Sequence, residues 1–269
     1  MELDFKNDMI SRVISVVSYL ASANTPKRLT DISRDLELSK ASVFRILRGL
    51  ENGHWVVSEP ETGMYKIGYK IMEMGLSILA NTNIAVICRP FLLDLRDASG
   101  ETVGLSIRVD NKRMFVDDAQ SNHEVRFITP LGKTLPLWIG AIGKVILANM
   151  MEREITSIFE ELTKSGLPRL SSGKVLDIIK LSSELAQIKQ EGYAISIGER
   201  ELGASAVASA IFDHHNEVIG AISIAGPSER LNGNILRRYS LLVKETAKKV
   251  NQRTGGSNTS LGLLGASLS

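Results

Sequence analysis

Three cations, Lys40, Arg45 and Arg48, stand in a short segment, Leu38–Leu50, that contains no acidic residue. Arginine and lysine bind the phosphates of nucleic acids, and arginine can also bind a guanine edge through two hydrogen bonds. In a helix of 3.6 residues per turn, Arg45 and Arg48 share one face. Such a face suits insertion into the major groove of DNA, so the segment predicts a recognition helix.

The same segment carries an apolar stripe at helical spacing, which would anchor the helix by its opposite face. Ser39 is a suitable N-cap, and Asn52 followed by Gly53 is a helix-ending signal. A helix is therefore predicted over residues 40–52. The stripe consists of Val43, Ile46, Leu47 and Leu50.

Two predicted helices precede this segment, and a predicted hairpin follows it. One helix is expected from about Asp8 to Ala21, and a second begins near Thr30, which would be its N-cap. Short β-prone runs at 54–57 and 64–67 flank the turn residues 60–63. Three helices followed by a two-stranded wing make a winged helix-turn-helix. The apolar stripe of the first helix would consist of Ile10, Val13, Ile14, Val17 and Leu20.

A linker helix is predicted next, and its apolar stripe (Ile71, Met74, Ile78 and Leu79) favours pairing with a second copy of the chain. Strands and helices then mix, which predicts an α+β domain with a largely antiparallel sheet. The predicted parts are 6–68 for DNA binding, 69–83 for the linker, 84–252 for the second domain and 253–269 for a flexible Gly/Ser-rich tail. In the second domain, strands are predicted at 102–108, 113–119, 125–128, 193–197, 206–212 and 218–225, and helices at 84–98, 140–149, 151–163, 175–191 and 232–251.

The composition is that of a globular protein, with 43% hydrophobic and 23% charged residues. The net charge is only +2, so the basic signal is local to the recognition helix. Cys88 is the one cysteine in the sequence, which excludes an intrachain disulfide. The acidic N-terminus lacks the pattern of a secretory signal, and no apolar stretch predicts a membrane span, so we expect a cytoplasmic protein.

Six segments in order resemble the IclR family of bacterial transcriptional regulators over about residues 6–252. The resemblance implies an N-terminal winged helix-turn-helix and a C-terminal effector-binding domain of GAF-like fold. It also implies a homodimer or dimer of dimers that binds double-stranded operator DNA under the control of a small-molecule effector. No cofactor, metal or catalysis is expected. The segments are LSKASVFRILRGLENG, PETGMYKIG, RPFLLDLRDASGETVGLS, LPLWIGAIGK, EGYAISIGERELGASAVASAIFD and IGAISIAGPSERL.

The candidate DNA-binding residues lie on the recognition helix and the wing. Arg45 is the candidate for a base edge, and Lys40 and Ser39 are candidates for phosphate at the helix N-terminus. An ordinary solvated helix face is the alternative for the arginines, and packing at the domain edge is the alternative for Phe44. The full set is Ser39, Lys40, Ser42, Phe44, Arg45, Arg48, Tyr65 and Lys66.

The candidate effector-binding residues follow from the resemblance, position by position. Ser196 stands where family members can carry an acidic residue, and Ala206 and Ala225 stand where they can carry Cys and Ser. These losses predict a more apolar cavity and therefore an aromatic or otherwise apolar acid as the effector. The full set is Trp138, Ala141, Ile142, Ser196, Ala206, Ser223 and Ala225.

Two other functions remain open at this point. One is a small-molecule hydrolase that uses Ser205 and a histidine, although the GxSxG elbow is absent. The other is a ligand-binding adaptor that does not read DNA. The histidines lack the partners and spacing of a zinc site, and Gly140–Lys144 lacks the spacing of a phosphate-binding loop. The histidines are His54, His123, His214 and His215.

Overall fold

A computed structural model of the protein contains two compact units, Met1–Thr82 and Asn83–Ser269. Each unit has its own hydrophobic core. The division falls within the predicted linker, whose bounds of 69–83 stay a prediction. The structure describes residues 8–23, 25–81 and 83–256, and of residues 76–81 and 83 it describes the backbone alone.

The N-terminal unit is the predicted winged helix-turn-helix. Its wing is an antiparallel pair in which Val57 lies opposite Lys66. The helix after the wing extends the unit as predicted, although Met72 and Met74 of its apolar stripe region are exposed. The elements are α1 (Met9–Ser22), α2 (Leu29–Asp35), α3 (Lys40–Asn52), β1 (Val56–Ser58), β2 (Tyr65–Ile67) and α4 (Tyr69–Asn81). Of the predicted stripe on α4, the side chains of Ile78 and Leu79 lie outside the described residues.

The predicted apolar stripe of α1 is partly wrong, because Val13 and Leu20 pack into the core as predicted but other members of the stripe do not. Ile10 and Ile14 are 66% and 59% exposed, whereas Val16 is fully buried together with Leu20. Helix α1 carries two overlapping apolar stripes, and Val13, Val16 and Leu20 form the one that packs against α2 and α3. Periodicity alone could not choose between the stripes, because both have helical spacing.

Helix α3 has the predicted bounds and the predicted core face. Val43, Ile46 and Leu47 are buried. The hydroxyl of Ser39 accepts a hydrogen bond from the backbone N–H of Ser42 at 3.2 Å, which satisfies one of the unpaired donors of the first turn. Helix α2, by contrast, begins two residues earlier than predicted, because Arg28 rather than Thr30 is at its N-cap.

Replacing the N-cap of α3 is expected to destabilise the N-terminal unit. Ser39→Ala removes the acceptor and should lower the free energy of unfolding by about 1 kcal/mol, while Ser39→Asp should retain it. Urea unfolding followed by Trp55 fluorescence in a Trp138→Phe background measures this unit. Equal stability of Ser39→Ala and the parent would contradict the capping role.

The C-terminal unit is built on a six-stranded antiparallel sheet in the order β5-β4-β3-β8-β7-β6. The long hairpin of β7 and β8 turns at residues 213–217, as predicted. Both faces of the sheet are covered. The elements are α5 (Asn83–Ser99), β3 (Thr102–Val109), β4 (Lys112–Ala119), β5 (Thr134–Pro136), α6 (Gly140–Ala148), α7 (Glu152–Ser165), α8 (Ile178–Glu191), β6 (Ala194–Ile197), β7 (Ala204–Phe212), β8 (Val218–Pro227) and α9 (Gly233–Thr254).

Strand β7 shows how one strand supports two cores. Val207 and Ile211 pack into a cluster with α5 and α9, whereas Ala208 and Ala210 pack into a cluster with α6 and α8. Successive side chains of a strand point to opposite faces, so a strand buried on both sides is continuously apolar. This explains the uninterrupted apolar run of β7.

Two predictions for the C-terminal unit are wrong. Residues 125–128 form no strand; they belong to an irregular segment in which Arg230 Nη2 donates to the carbonyl of Val125 at 2.9 Å. The missed strand is β5, which pairs with the first three residues of β4 at the edge of the sheet and there tolerates Pro136. The predicted tail also begins too early, because α9 reaches Thr254 and Gly255 bridges to Asp213. The rest of that tail, 257–269, lies outside the described residues.

Among the helices of the described residues, none combines the length and the apolar character needed to cross a membrane.

Candidate functional site

The exposed face of α3 carries most of the predicted DNA-binding residues. Lys40, Phe44, Arg45 and Arg48 are exposed, and Phe44 is an apolar side chain with half of its surface open to solvent. Arg48 forms an ion pair with Glu51 at 3.7 Å. Within the described residues, Lys40 and Arg45 have no such acidic partner. Their charges are therefore available to an anionic ligand.

Ser42 does not belong to this face. It is 5% exposed, and its buried hydroxyl has no hydrogen-bond partner among the described residues. Position 42 lies beside Val43 on the packed side of the helix, so its inclusion among the DNA-binding residues was wrong. Ser39 is exposed, but its hydroxyl already caps the helix.

The wing contributes one exposed cation. Lys66 is exposed, and its Nζ lies 3.1 Å from Glu59 Oε1. This ammonium group holds the pKa of Glu59 below its usual range. Tyr65 is instead half-buried, packs against the core of the unit, and forms a two-way backbone bridge with Lys27. Lys66 is thus the exposed cation of the wing, and it shares its charge with Glu59.

Six of the seven predicted effector residues line one cavity of about 70 Å³ in the C-terminal unit. A cavity of this size holds several waters or one small organic molecule. The seventh, Trp138, does not line it; its half-buried side chain packs against the core cluster that contains α6 and α8. Trp138 is therefore a packing residue beside the cavity and not part of its lining. The six are Ala141, Ile142, Ser196, Ala206, Ser223 and Ala225.

The N-terminus of α6 forms one wall of this cavity. The helix begins at Gly140, whose φ of +76° favours glycine. Ile139 is at the N-cap position and its side chain offers no cap. The N–H groups of a first helical turn have no acceptor within the helix, so they present a partial positive charge to the cavity at Ala141 and Ile142.

Arg113 on β4 also lines the cavity and is the residue that the sequence analysis missed most clearly. It is 2% exposed, and its Nε has no hydrogen-bond partner among the described residues. Its Nη2 lies 3.5 Å from the carbonyl of Ile139, and its Cζ lies 5.1 Å from the ring centroid of Phe115. One signal in the sequence could have found it. Residues two apart on a strand face the same side, so Arg113 faces the same side as the apolar Phe115 and is a cation at an inward-facing position.

Arg200 brings a second guanidinium to the same region. It is half-buried, donates from Nη2 to Thr129 Oγ1 at 3.3 Å, and its Cζ lies 5.9 Å from the Phe115 centroid and 5.5 Å from that of Phe127. Burial, and then the charge of Arg200, lower the pKa of Arg113 to about 9. Burial also lowers the pKa of Arg200. Both arginines remain charged at neutral pH, so the cavity carries a positive charge that the predicted apolar cavity did not include.

Two acidic side chains, Asp118 and Glu201, also line the cavity. Asp118 lies five residues beyond Arg113 on β4, which is about 16 Å along a strand. Glu201 is exposed. Within the described residues, neither forms an ion pair with Arg113 or Arg200. We call Arg113, Arg200 and the first turn of α6 the cationic end of the cavity.

A buried ammonium group holds the cationic end in place. Lys144 is 2% exposed, and its Nζ donates to Glu184 Oε1 at 2.5 Å, to Glu199 Oε1 at 2.5 Å and to the carbonyl of Ile195 at 3.1 Å. The second oxygen of Glu199 accepts the N–H of Gly140 at 3.0 Å. This Lys144 cluster (Lys144, Glu184 and Glu199) ties α6 to α8, to β6 and to the loop that carries Arg200.

Sequence comparison decides what kind of protein this is. Residues 9–60 match the IclR helix-turn-helix domain, and residues 76–252 match the C-terminal domain of the bacterial transcriptional regulator IclR. The second match alone spans more than half of the chain. The protein belongs to the IclR family. It is a DNA-binding transcriptional regulator, as the resemblance predicted.

Relatives and solved structures agree with this assignment to the IclR family. The HTH-type transcriptional repressor AllR of Escherichia coli (strain K12) is 30% identical over 246 residues, which cover 91% of this chain and 90% of AllR. The IclR regulator from Alicyclobacillus acidocaldarius superposes with a TM-score of 0.77 at 25% identity, covering 92% of this chain and 98% of that one. An IclR homologue from Microbacterium hydrocarbonoxydans, solved with 4-hydroxybenzoate, has a TM-score of 0.78 at 21% identity, and the match covers 91% of this chain and 98% of that one.

The arrangement around Ser205 does not favour the hydrolase alternative. The Ser205 hydroxyl lies 2.8 Å from the Ser228 hydroxyl. Among the described residues, no histidine bonds to Ser205, and His214 and His215 contact each other in the β7–β8 turn. No group of metal-ligating side chains is present in the described part of this IclR-family chain.

Removing the ammonium group of the Lys144 cluster is expected to destabilise the C-terminal unit. Lys144→Met leaves two carboxylates with no cation between them, so the free energy of unfolding should fall by about 3–5 kcal/mol. Glu184→Gln is the control, and it should cost less because Lys144 keeps Glu199 and Glu184 is partly exposed. Urea unfolding followed by Trp138 fluorescence in a Trp55→Phe background measures this. A Lys144→Met variant as stable as its parent would show that the cluster contributes no net stability.

Proposed function

We propose that this IclR-family regulator is a repressor that reads operator DNA with the exposed face of α3 and changes its affinity for DNA when a small organic acid binds the cavity. The observation that carries the proposal is Arg113, a buried guanidinium with an unpartnered nitrogen on the wall of an open cavity. A buried charge without a partner is costly, and an acid bound at the cationic end would remove that cost. AllR, the repressor relative, supports repression rather than activation.

The DNA surface that we propose is smaller than the predicted one. Arg45 would bind a base edge, and Lys40 would bind phosphate at the start of α3. Phe44 would contact apolar groups in the groove, such as a thymine methyl. Arg48 and Ser39 would lie at the edge of the contact, and Lys66 on the wing would meet the neighbouring backbone.

We propose that the protein binds DNA as a homodimer or as a dimer of dimers. Ile10 and Ile14 on α1 and Met72 and Met74 on α4 are exposed apolar side chains on two helices of the DNA-binding unit. Exposed apolar surface of this kind favours burial against a second copy. A two-fold dimer would present two copies of α3 to half-sites about one DNA turn apart.

The effector that we propose is a carboxylic acid with an apolar or aromatic body. Phe115 and Phe127 offer ring faces, and the cationic end of the cavity offers donors for a carboxylate. The homologue solved with 4-hydroxybenzoate holds an acid of this kind. We propose that the protein acts by binding rather than by catalysis, and that it works in the cytoplasm where its DNA is.

In vitro selection of bound DNA followed by point substitution tests the DNA-reading part. Arg45→Ala should weaken binding to the selected sequence by about 1–3 kcal/mol, roughly 5- to 150-fold, and relax specificity at one base pair. Lys40→Ala is the matched control, because loss of a phosphate contact should weaken all sequences alike and reduce the salt dependence by about one ion. Fluorescence anisotropy at several salt concentrations measures both variants.

Selection of no common sequence by the wild-type protein would contradict specific recognition. Unchanged affinity and specificity of Arg45→Ala would remove Arg45 from the surface that reads the bases.

A further inference from the structure

The cationic end of the cavity holds two guanidinium groups, which is more positive charge than one bound carboxylate needs. Arg113 and Arg200 both lie against the ring of Phe115, at 5.1 Å and 5.9 Å from its centroid. Burial is the main cause of the lowered pKa of Arg113, and repulsion by the charge of Arg200 adds to it. Like charges that are partly or wholly buried together are unfavourable until an anion separates them.

Two of the acidic residues near the cationic end, Glu184 and Glu199, are engaged with Lys144. Glu201 also lines the cavity, is exposed and, in the described part of the chain, forms no ion pair with either arginine. Glu199, which accepts the N–H of Gly140, shares the ammonium group of Lys144 with Glu184. Within the described residues, no carboxylate lies within ion-pair distance of Arg113 or Arg200. Burial lowers the pKa of Arg200, and the charge of Glu201 opposes this shift without forming an ion pair, so the ion-pair position of each arginine is open to a ligand.

The two arginines lie in different surroundings within the cationic end. Arg113 is fully enclosed, and its Nη2 lies about 3.3 Å from where a side chain on Gly140 would begin, at the first turn of α6. Arg200 is half-buried and lies on a loop, against Phe127 and bonded to Thr129. A carboxylate has two oxygens and pairs in full with one guanidinium. One carboxylate held by Arg113 and α6 leaves Arg200 without a partner.

We propose that the effector is a dicarboxylic acid, with one carboxylate on Arg113 and the first turn of α6 and the second on Arg200. The short apolar spacer between the two groups lies along the ring of Phe115. This inference rests on the proposed function, since it specifies the acid that the cavity binds. The number of acidic groups, and not only their presence, then determines affinity.

Titration calorimetry on the full chain without DNA tests the number of acidic groups. Two matched pairs of probes differ by one carboxylate in place of a methyl group: succinate against butyrate, and terephthalate against 4-methylbenzoate. In at least one pair, the wild-type protein should bind the dicarboxylate at least tenfold more tightly. The affinity for the dicarboxylate should also fall more steeply with salt concentration than the affinity for the monocarboxylate. The dicarboxylate forms two charge pairs with the protein rather than one, and salt screens the attraction in each.

Two variants assign the two carboxylates. Arg200→Gln should bring the affinities of the two members of that pair within about twofold of each other. Arg113→Met should weaken both members at least tenfold. Arg126→Gln is the matched control, because it removes an exposed arginine from the segment that carries Phe127 and does not line the cavity. It should bind all four acids as the wild type does.

The outcomes separate this inference from the proposed function. Equal binding of mono- and dicarboxylates by the wild type, or a preference that survives in Arg200→Gln, overturns the dicarboxylate while leaving an acid effector in place. Failure of all four acids to bind overturns the acid effector and the inference together. If Arg113→Met does not fold, the preference of the wild type, its salt dependence and its loss in Arg200→Gln still decide the matter.

Discussion

The arrangement of the C-terminal unit depends on one buried ammonium group. Taking the Lys144 side chain out of water is costly, and the cost is offset because two carboxylates and one backbone carbonyl accept its hydrogen bonds. Those acceptors come from α8, from β6 and from the loop after it. The group therefore brings three parts of the fold to the start of α6, where Glu199 also receives the N–H of Gly140.

The cavity takes its character from that constraint. With Glu199 held by Lys144, its neighbour Arg200 faces the cavity and meets Phe115 from the loop, while Arg113 meets the same ring from β4. Close packing of α6 also shapes the cavity. A Cβ atom at position 143 would lie 2.6 Å from the carbonyl oxygen of Leu137, so α6 can pack this closely against the backbone of Leu137 only with glycine at that position. The result is a small cavity whose walls are apolar at the rings and positive at one end.

Elements governed by local rules were predictable from the sequence. Helix α3 could be predicted because its N-cap and its apolar stripe both lie within 14 residues. The hairpin of β7 and β8 could be predicted because turn residues separate its two apolar strands. The positions of Ala141, Ser196 and Ser223 on the cavity came from the family resemblance. The roles of Arg113 and Arg200 did not come from the resemblance or from any pattern, since no local sequence signal identifies a cation that would pair with a ligand. The exposed face of α1 and the irregular segment at 125–128 were decided by tertiary packing that periodicity does not record.

The central claim is that an acid in the cavity alters the affinity of α3 for DNA. Such an acid must bind unequally to two conformations of the protein, one with high and one with low affinity for DNA. By linkage, operator DNA must then change the affinity of the protein for the acid by the same factor. The direct measurement is the dissociation constant of the selected operator with and without a saturating concentration of the tightest-binding acid, in the wild type and in Arg113→Met. We predict a change of about tenfold or more in the wild type and none in Arg113→Met, with equal affinity of the two proteins for the operator when no acid is present. An operator affinity that ignores the acid in the wild type, or that responds equally in Arg113→Met, would contradict the account.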